Sequence, residues 1–265
     1  MILSAIYSYP LKSGKAIPME KAEVLSTGIR HDRTLVVIDE KDRALTGREY
    51  PELTSMVAKV EGNVLELSRD GQRIETALPK NDDRAVGFNL FRKGVKGQLV
   101  DKAAAHWVSN ILGIPCRLVF IADNYLPIET QRGGKKGEKV GYADASPLHL
   151  ISEASLHDLN ARLEKQVTPL HFRPNLVVKG GKPYEEDNWK SVIINACEFE
   201  VHYKCKRCVF TSVDPVTFKK SKNNEPLTTL AKFRKERNEA VSFGIYLVPK
   251  KTGIIHLGNT VDTVV

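Results

Sequence analysis

Apolar and polar positions along this chain change over in short runs, the pattern of many short strands with a few helices. Thr34–Asp39 ("TLVVID") is β-branched and ends in the turn-rich "EKDRA". Val64–Leu67 and Arg73–Leu78 flank "SRDGQ", where Asp70-Gly71 is a strong hairpin signal. Cys116–Ala122, Leu176–Lys179, Ser242–Val248 and Gly253–Leu257 are further strand candidates. Val192–Val201 ("VIINACEFEV") reads as one strand, with Cys197, Phe199 and Val201 inward and Glu198 and Glu200 outward. Three segments switch to the helical period. Lys102–Leu112 stops at Gly113 and Pro115. Ser152–Glu164 puts Leu156, Leu159 and Leu163 on one face behind a Ser152 N-cap. Pro226–Arg237 opens on a proline, whose missing N–H costs nothing in a first turn. Residues 123–143 are polar and glycine-rich, the pattern of a mobile loop or a module junction. The fold class expected is α+β, predominantly β and barrel-like, with no alternating βαβ pattern.

Composition narrows the classes. A chain of 265 residues buries roughly 70–75% of its unfolded surface, so neither disulfides nor metals are needed to stabilise it. No run of 18 apolar residues predicts a membrane span. The N-terminal "MILSAIYSYPLKSGK" lacks the basic region and cleavage site of a signal peptide. Four cysteines in this length suit a reducing compartment, and the cytoplasm is the expected location. The net charge of +8 has three readings: a lysine-rich solvated surface, nucleic-acid binding, or a basic pocket for a small polyanion. No helix-turn-helix, zinc-finger spacing or aromatic RNA-binding motif supports the second, so nucleic acid is not an expected partner.

The stretch "YKCKRCVFTSVDP" (Tyr203 to Pro215) carries the chemistry most open to question. Cys197, His202, Cys205 and Cys208 give a set of zinc-type ligands in twelve residues. Against zinc, an extended Cys197–Tyr203 would point Cys197 and His202 to opposite faces. A thioredoxin-like redox pair needs a strand-to-helix setting, whereas "VFTSVDP" looks extended. An iron–sulfur cluster needs more thiolates than remain after Cys208. A single thiolate beside Lys206 and Arg207, activated by those cations, stays open alongside a plain pair of packed cysteines.

"KCKRCVFTSVDP…EPLTTLAKFR…FG" closely resembles the C-terminal signature of MOSC-domain proteins, in the branch of YcbX and the mitochondrial amidoxime-reducing component. "YPLKSGKA", "GIRHDRTLVVID", "LTGREYP", "YADASPLHLISEASLHDLNARL" and "HFRPNLVVKGGKPYEEDNW" match in the family's order, so the likeness runs from about residue 3 to 262. The resemblance implies a MOSC_N-like β-rich module over 1–95 and a MOSC β-barrel with flanking helices over 96–265, with a molybdenum cofactor between them. It implies that Cys208 ligates molybdenum and that Lys12, Ser13, Arg33, Arg173 and Asn175 contact the cofactor, with Lys206 and Arg207 beside the ligand. The family more often has a small residue at the Lys206 position. Asp144 in "YADAS" matches an active-site acid that would relay protons. The implied activity is reduction of N-hydroxylated compounds, small amidoximes and hydroxylamines among them. Carrier or sulfur-transfer function is the alternative. The chain ends where the barrel should end, without the ferredoxin-like module of some relatives. Electrons are therefore expected from a separate flavoprotein or iron–sulfur protein, docked by the basic surface. His31 and His202 match no role and are expected to be structural.

Overall fold

A computed structural model describes residues 1–80, 85–91, 93–128, 135–235 and 240–265. It is mostly sheet, as the period-2 patterning predicts, with three α-helices among the described residues: α1 (Lys102–Leu112), α2 (Glu153–Asn160) and α3 (Leu227–Arg234). The largest sheet has eight strands, in the order Ile17–Met19, Ile2–Ser8, Leu176–Lys179, Leu148–Ser152, Ser242–Lys251, Cys197–Lys206, Ser191–Ile194, Val261–Val264. The first strands of the chain therefore sit beside strands from its second half. The sheet curls until its two sides meet: Ile2 bridges Thr260, and the Leu3 amide donates to the Asn259 carbonyl at 2.9 Å. No continuous ladder closes the ring, so the architecture is barrel-like rather than a closed barrel.

Leu3, Ile6, Leu150, Leu176, Val178, Phe199, Ile245 and Leu247 fill its interior. Val177, between Leu176 and Val178, faces the other way, into the cluster under α2 and α3 that holds Leu156, Leu159, Phe172, Leu230 and Phe243. Leu176–Lys179 is thus buried on both faces, which is why it reads as an apolar run without alternation. A second body combines a four-stranded sheet (Leu35–Asp39, Cys116–Phe120, Lys93–Leu99, Ala85–Leu90) with a three-stranded meander (Val57–Glu61, Val64–Arg69, Gln72–Ala77) and α1. In the meander, Arg69 pairs with Gln72 across Asp70 and Gly71, whose φ values of 49° and 81° give the two-residue hairpin the sequence predicts.

Several expected elements are corrected. Val192–Val201 is two strands, broken at Asn195-Ala196, where Asn195 takes φ 53° and the chain reverses. Asparagine tolerates that left-handed backbone, and the turn is hidden inside an apolar run. α2 ends at Asn160, not Glu164: Asn160 Oδ1 and Nδ2 both bond to Val167, capturing the following loop. α3 starts after Pro226 and ends at Arg234; the expected span's last residues, 236–237, lie outside the described residues. Val209–Ser212 is a 3-10 turn rather than extended chain. Leu148–Ser152, α2 and Leu176–Lys179 form one βαβ unit, the only parallel pair among the described strands of that sheet. Within 123–143, Leu126–Pro127 pairs with Lys139–Val140, and 129–134 lie outside the described residues.

One buried acid is unrelated to the cleft described next. Glu186 is fully buried and receives the Ser155 hydroxyl at 2.7 Å; burial, with Asp187 adding, raises its pKa. A carboxyl whose folded pKa is raised carries no penalty below its unfolded value and the full penalty above its folded one. Glu186→Gln is therefore expected to add about 1 kcal/mol of stability at pH 7–8 and nothing near pH 4, read by urea unfolding at both pH values.

Candidate functional site

The loops at one end of the eight-stranded sheet meet the first loops of the chain in an open cleft. Every residue singled out by the resemblance lines it: Lys12, Ser13, Arg33, Asp144, Arg173, Asn175, Lys206, Arg207 and Cys208. The topology explains the convergence. Lys12 and Ser13 follow the strand Ile2–Ser8, Asp144 precedes Leu148–Ser152, Arg173 and Asn175 precede Leu176–Lys179, and Lys206 ends Cys197–Lys206. Neighbouring strands thus bring residues far apart in sequence to a single rim.

Cys208 is the one exposed cysteine; Cys116, Cys197 and Cys205 are buried. It occupies the extended N-cap position of the 3-10 turn, so its side chain leaves the sheet. Its neighbour is a residue the sequence reasoning passed over. Arg48, in "LTGREYP", donates from Nε toward Cys208 Sγ at 3.3 Å and from Nη2 to Asp144 Oδ2 at 2.9 Å. Buried Lys12 donates to the other Asp144 oxygen at 2.5 Å and to the Tyr142 carbonyl at 2.7 Å. Burial alone would raise the Asp144 carboxyl, but Lys12, Arg48 and Arg33 outweigh it and hold it at about 2. The side chain remains 46% exposed. With that pKa, Asp144 is an anchor for two cations and a poor proton donor near neutrality. A lowered carboxyl stabilises the fold above its unfolded pKa, and that contribution disappears as pH falls from about 4 toward 2. Lys12→Met is expected to raise the Asp144 pKa, followed as the pH dependence of its carboxyl carbon by NMR.

On the opposite wall, Arg33 donates from Nη1 to Asp32 at 2.5 Å and to Asn175 Oδ1 at 2.9 Å. Arg33 and Arg173 each lie over the Tyr9 ring, 4.3 Å from its centroid. Arg173 Nη1 donates to the Gly14 carbonyl at 2.7 Å, whereas its Nη2 is buried without a hydrogen-bond partner among the described residues, as is the Tyr9 hydroxyl. Burial, with the Arg33 charge adding, lowers Arg173 to about 10. Ser13, Arg33 and Arg173 all hold positive φ (64°, 48° and 53°), a backbone cost of about 1 kcal/mol or more each that clusters at functional sites. Gly141 packs so closely on this loop that a Cβ there would stand 2.7 Å from the Arg33 carbonyl.

Asn175 lines the cleft but spends its amide on the protein, taking bonds from Arg33 and His149 and giving them to Tyr7 and Asp32. Arg207 turns inward: Nη1 lies 2.8 Å from Cys205 Sγ and Nη2 bonds the Phe172 carbonyl. Burial raises the Cys205 thiol against the pull of Arg207. Lys206 is exposed at the rim. No group of three metal-ligand side chains forms among the described residues, and Cys197 lies in the barrel core, so the zinc set does not assemble. Thr46, Phe91, His149, Phe210 and Tyr246 also line the cleft and had no signal in the sequence reading.

Six cationic side chains therefore face one carboxylate along this lining, around an exposed thiol. A lining of this charge suits an anionic ligand. Residues 1–115 match the MOSC N-terminal beta barrel domain and residues 137–262 the MOSC domain. Mitochondrial amidoxime-reducing component 1 of Danio rerio is 34% identical over 98% of this chain and 84% of its own length. The Homo sapiens component 1 is 32% identical over 98% and 82%. Component 2 of Rattus norvegicus gives the same figures, 32% over 98% and 82%. The chain belongs to the MOSC-domain family, together with these amidoxime-reducing components.

Proposed function

We propose that this protein reduces N-hydroxylated compounds, amidoximes and hydroxylamines among them, using a molybdenum cofactor held in the cleft and electrons from a separate protein. The observation carrying this reading is the exposed Cys208 thiol at the centre of a strongly cationic cleft, in a chain related throughout to amidoxime-reducing components. The residues fit such a cofactor. A molybdopterin brings a phosphate and a multiply hydrogen-bonding ring system, and the buried Arg173 Nη2, on a residue that lines the cleft and without a partner among the described residues, is a donor that such a ligand would complete. Once bound, the cofactor would supply a soft, two-electron redox metal, for which a thiolate is the preferred protein ligand.

The chain's own residues divide the remaining work. Cys208 would hold the metal. Lys12, Ser13, Arg33, Arg173 and Lys206 would hold the anionic and polar parts of the cofactor, with Asn175 fixing Arg33 in place. Arg48 orients the thiol side chain, and Asp144 keeps Arg48 and Lys12 from turning away. Arg207 packs beneath the ligand residue on Cys205 and Phe172 rather than facing outward. The net charge of +8 suits an acidic flavoprotein or iron–sulfur donor. Molybdenum analysis of the freshly purified protein, followed by amidoxime reduction with an artificial donor, tests the reading. Loaded protein that reduces nothing with any donor would favour cofactor carriage or sulfur transfer instead.

A further inference from the structure

His202 takes no part in the chemistry above, yet its placement is irregular. Val201 pairs with Leu247 and Tyr203 with Tyr246, so His202 is the extra residue of a β-bulge. Bulges re-aim a side chain, and this one turns the imidazole inward until it is 1% exposed. The bulge also voids the parity on which Cys197 and His202 were expected to face apart. Nδ1 lies 3.4 Å from the hydroxyl of Ser146, which lines the cleft. On the other side, Nε2 lies 3.6 Å from Glu138 Oε2 and has no hydrogen-bond partner among the described residues. A buried ring nitrogen held a few tenths of an ångström short of a hydrogen bond is a group that calls for a reason.

Glu138 reaches the surface and is 12% exposed. Lys250 Nζ bonds one of its oxygens at 2.5 Å and the Lys135 amide the other at 2.7 Å. Glu200, bonded to Lys135 and Lys250, completes the charged cluster around the ring, and the Tyr203 ring stacks beside it. Ser146, His202 and Glu138 therefore form a line from cleft to solvent, built from three segments of the chain.

We propose that this line is a proton relay serving the cleft. The proposal rests on the reductase reading: converting R–NH–OH to R–NH2 and water consumes two electrons, from the separate donor protein, and two protons. Glu138, held as a carboxylate by Lys250 and the Lys135 amide, picks up each proton from solvent only in passing and hands it to His202 Nε2. The Nδ1 hydrogen passes to Ser146 Oγ and the Ser146 hydrogen into the cleft, the first proton to the hydroxyl oxygen, which leaves as water as the N–O bond breaks, and the second to the nitrogen, completing R–NH2. The ring is left with its hydrogen on Nε2 and returns to the Nδ1–H tautomer before the second proton follows. A neutral ring is required, and burial lowers the His202 pKa, with Lys250 and Lys135 adding and Glu138 and Glu200 opposing. Lys12 and Arg48 hold Asp144 as Lys250 holds Glu138, and what sets Glu138 apart is the buried imidazole between it and the cleft.

Two measurements test the relay. In the cofactor-free protein, Ser146→Ala is expected to move the His202 Nδ1 resonance and Glu138→Gln the Nε2 resonance in ring ¹⁵N spectra. A ring that ignores both substitutions overturns the proposal, whatever the enzyme does. In the loaded protein with an artificial donor, His202→Gln keeps a polar group but cannot pass a proton between two ring nitrogens. It is expected to lower kcat about tenfold or more with little change in KM, and to enlarge the solvent deuterium isotope effect. Added imidazole is expected to restore part of the rate in His202→Ala. Unchanged kcat and isotope effect in His202→Gln sink the relay and leave the reductase reading standing. Wild-type protein that holds molybdenum but reduces no N-hydroxylated compound removes both.

Discussion

Cys208→Ser is expected to lower amidoxime reduction at least about 100-fold and to release most of the molybdenum, measured by elemental analysis of the purified variant. A serine hydroxyl stays protonated where a thiol ionises, and a soft metal prefers sulfur. The fold should survive, because Cys208 is exposed and its turn is closed by main-chain bonds, the Thr211 amide to the Cys208 carbonyl among them. A readout independent of turnover accompanies this. Cofactor-free protein should react rapidly with one equivalent of a thiol reagent, since the other three cysteines are buried, and Cys208→Ser should lose that fast phase. A variant that keeps a full complement of molybdenum would remove Cys208 from the ligand set and leave Arg48 orienting nothing of consequence.

Asn175→Leu is expected to cost about 3–5 kcal/mol of stability, a fall in Tm of roughly 10 °C or more, measured by thermal unfolding. Asn175 is 1% exposed, and its amide makes four bonds. Oδ1 accepts from Arg33 Nη1 at 2.9 Å and from the His149 amide at 3.2 Å; Nδ2 donates to the Tyr7 carbonyl and to Asp32 Oδ1, both at 3.1 Å. Leucine has similar bulk but satisfies none of them, stranding a main-chain donor, a main-chain acceptor and one side of a buried ion pair. The same loss frees Arg33 from the orientation that lays it over Tyr9. A stability change below 1 kcal/mol would show that the network relaxes around the gap and that Asn175 does not organise this wall.

Local chemistry made several elements legible in advance. α1 keeps its expected bounds because Gly113 supplies a left-handed cap at φ 68° and Asp101 caps the other end. Asp70-Gly71 forms its hairpin because two adjacent residues accept positive φ. Where elements were misjudged, a contact distant in sequence or a single permissive residue intervened. Asn160 ties down Val167 and shortens α2, and Asn195 reverses the chain within an apolar run. The candidate site shows the same division. Cys208, Arg173 and Lys12 belonged to recognisable blocks and do line the cleft. Arg48 lay in a recognisable block too, but only its approach to Cys208 and Asp144 distinguishes it from a surface arginine.

By itself, then, the sequence determined the strand-rich class, the caps and hairpin, and the blocks holding Cys208 and its basic neighbours, because these depend on residues close together in the chain. Only the tertiary structure decided that Cys208 is exposed while Cys205 is sealed under Arg207, that Asp144 is clamped between Lys12 and Arg48, and that a bulge turns His202 between Ser146 and Glu138. Exposure, ionisation and hydrogen-bond partners are set by groups far apart in the chain, 160 positions for Arg48 and Cys208, and no local pattern carries that information.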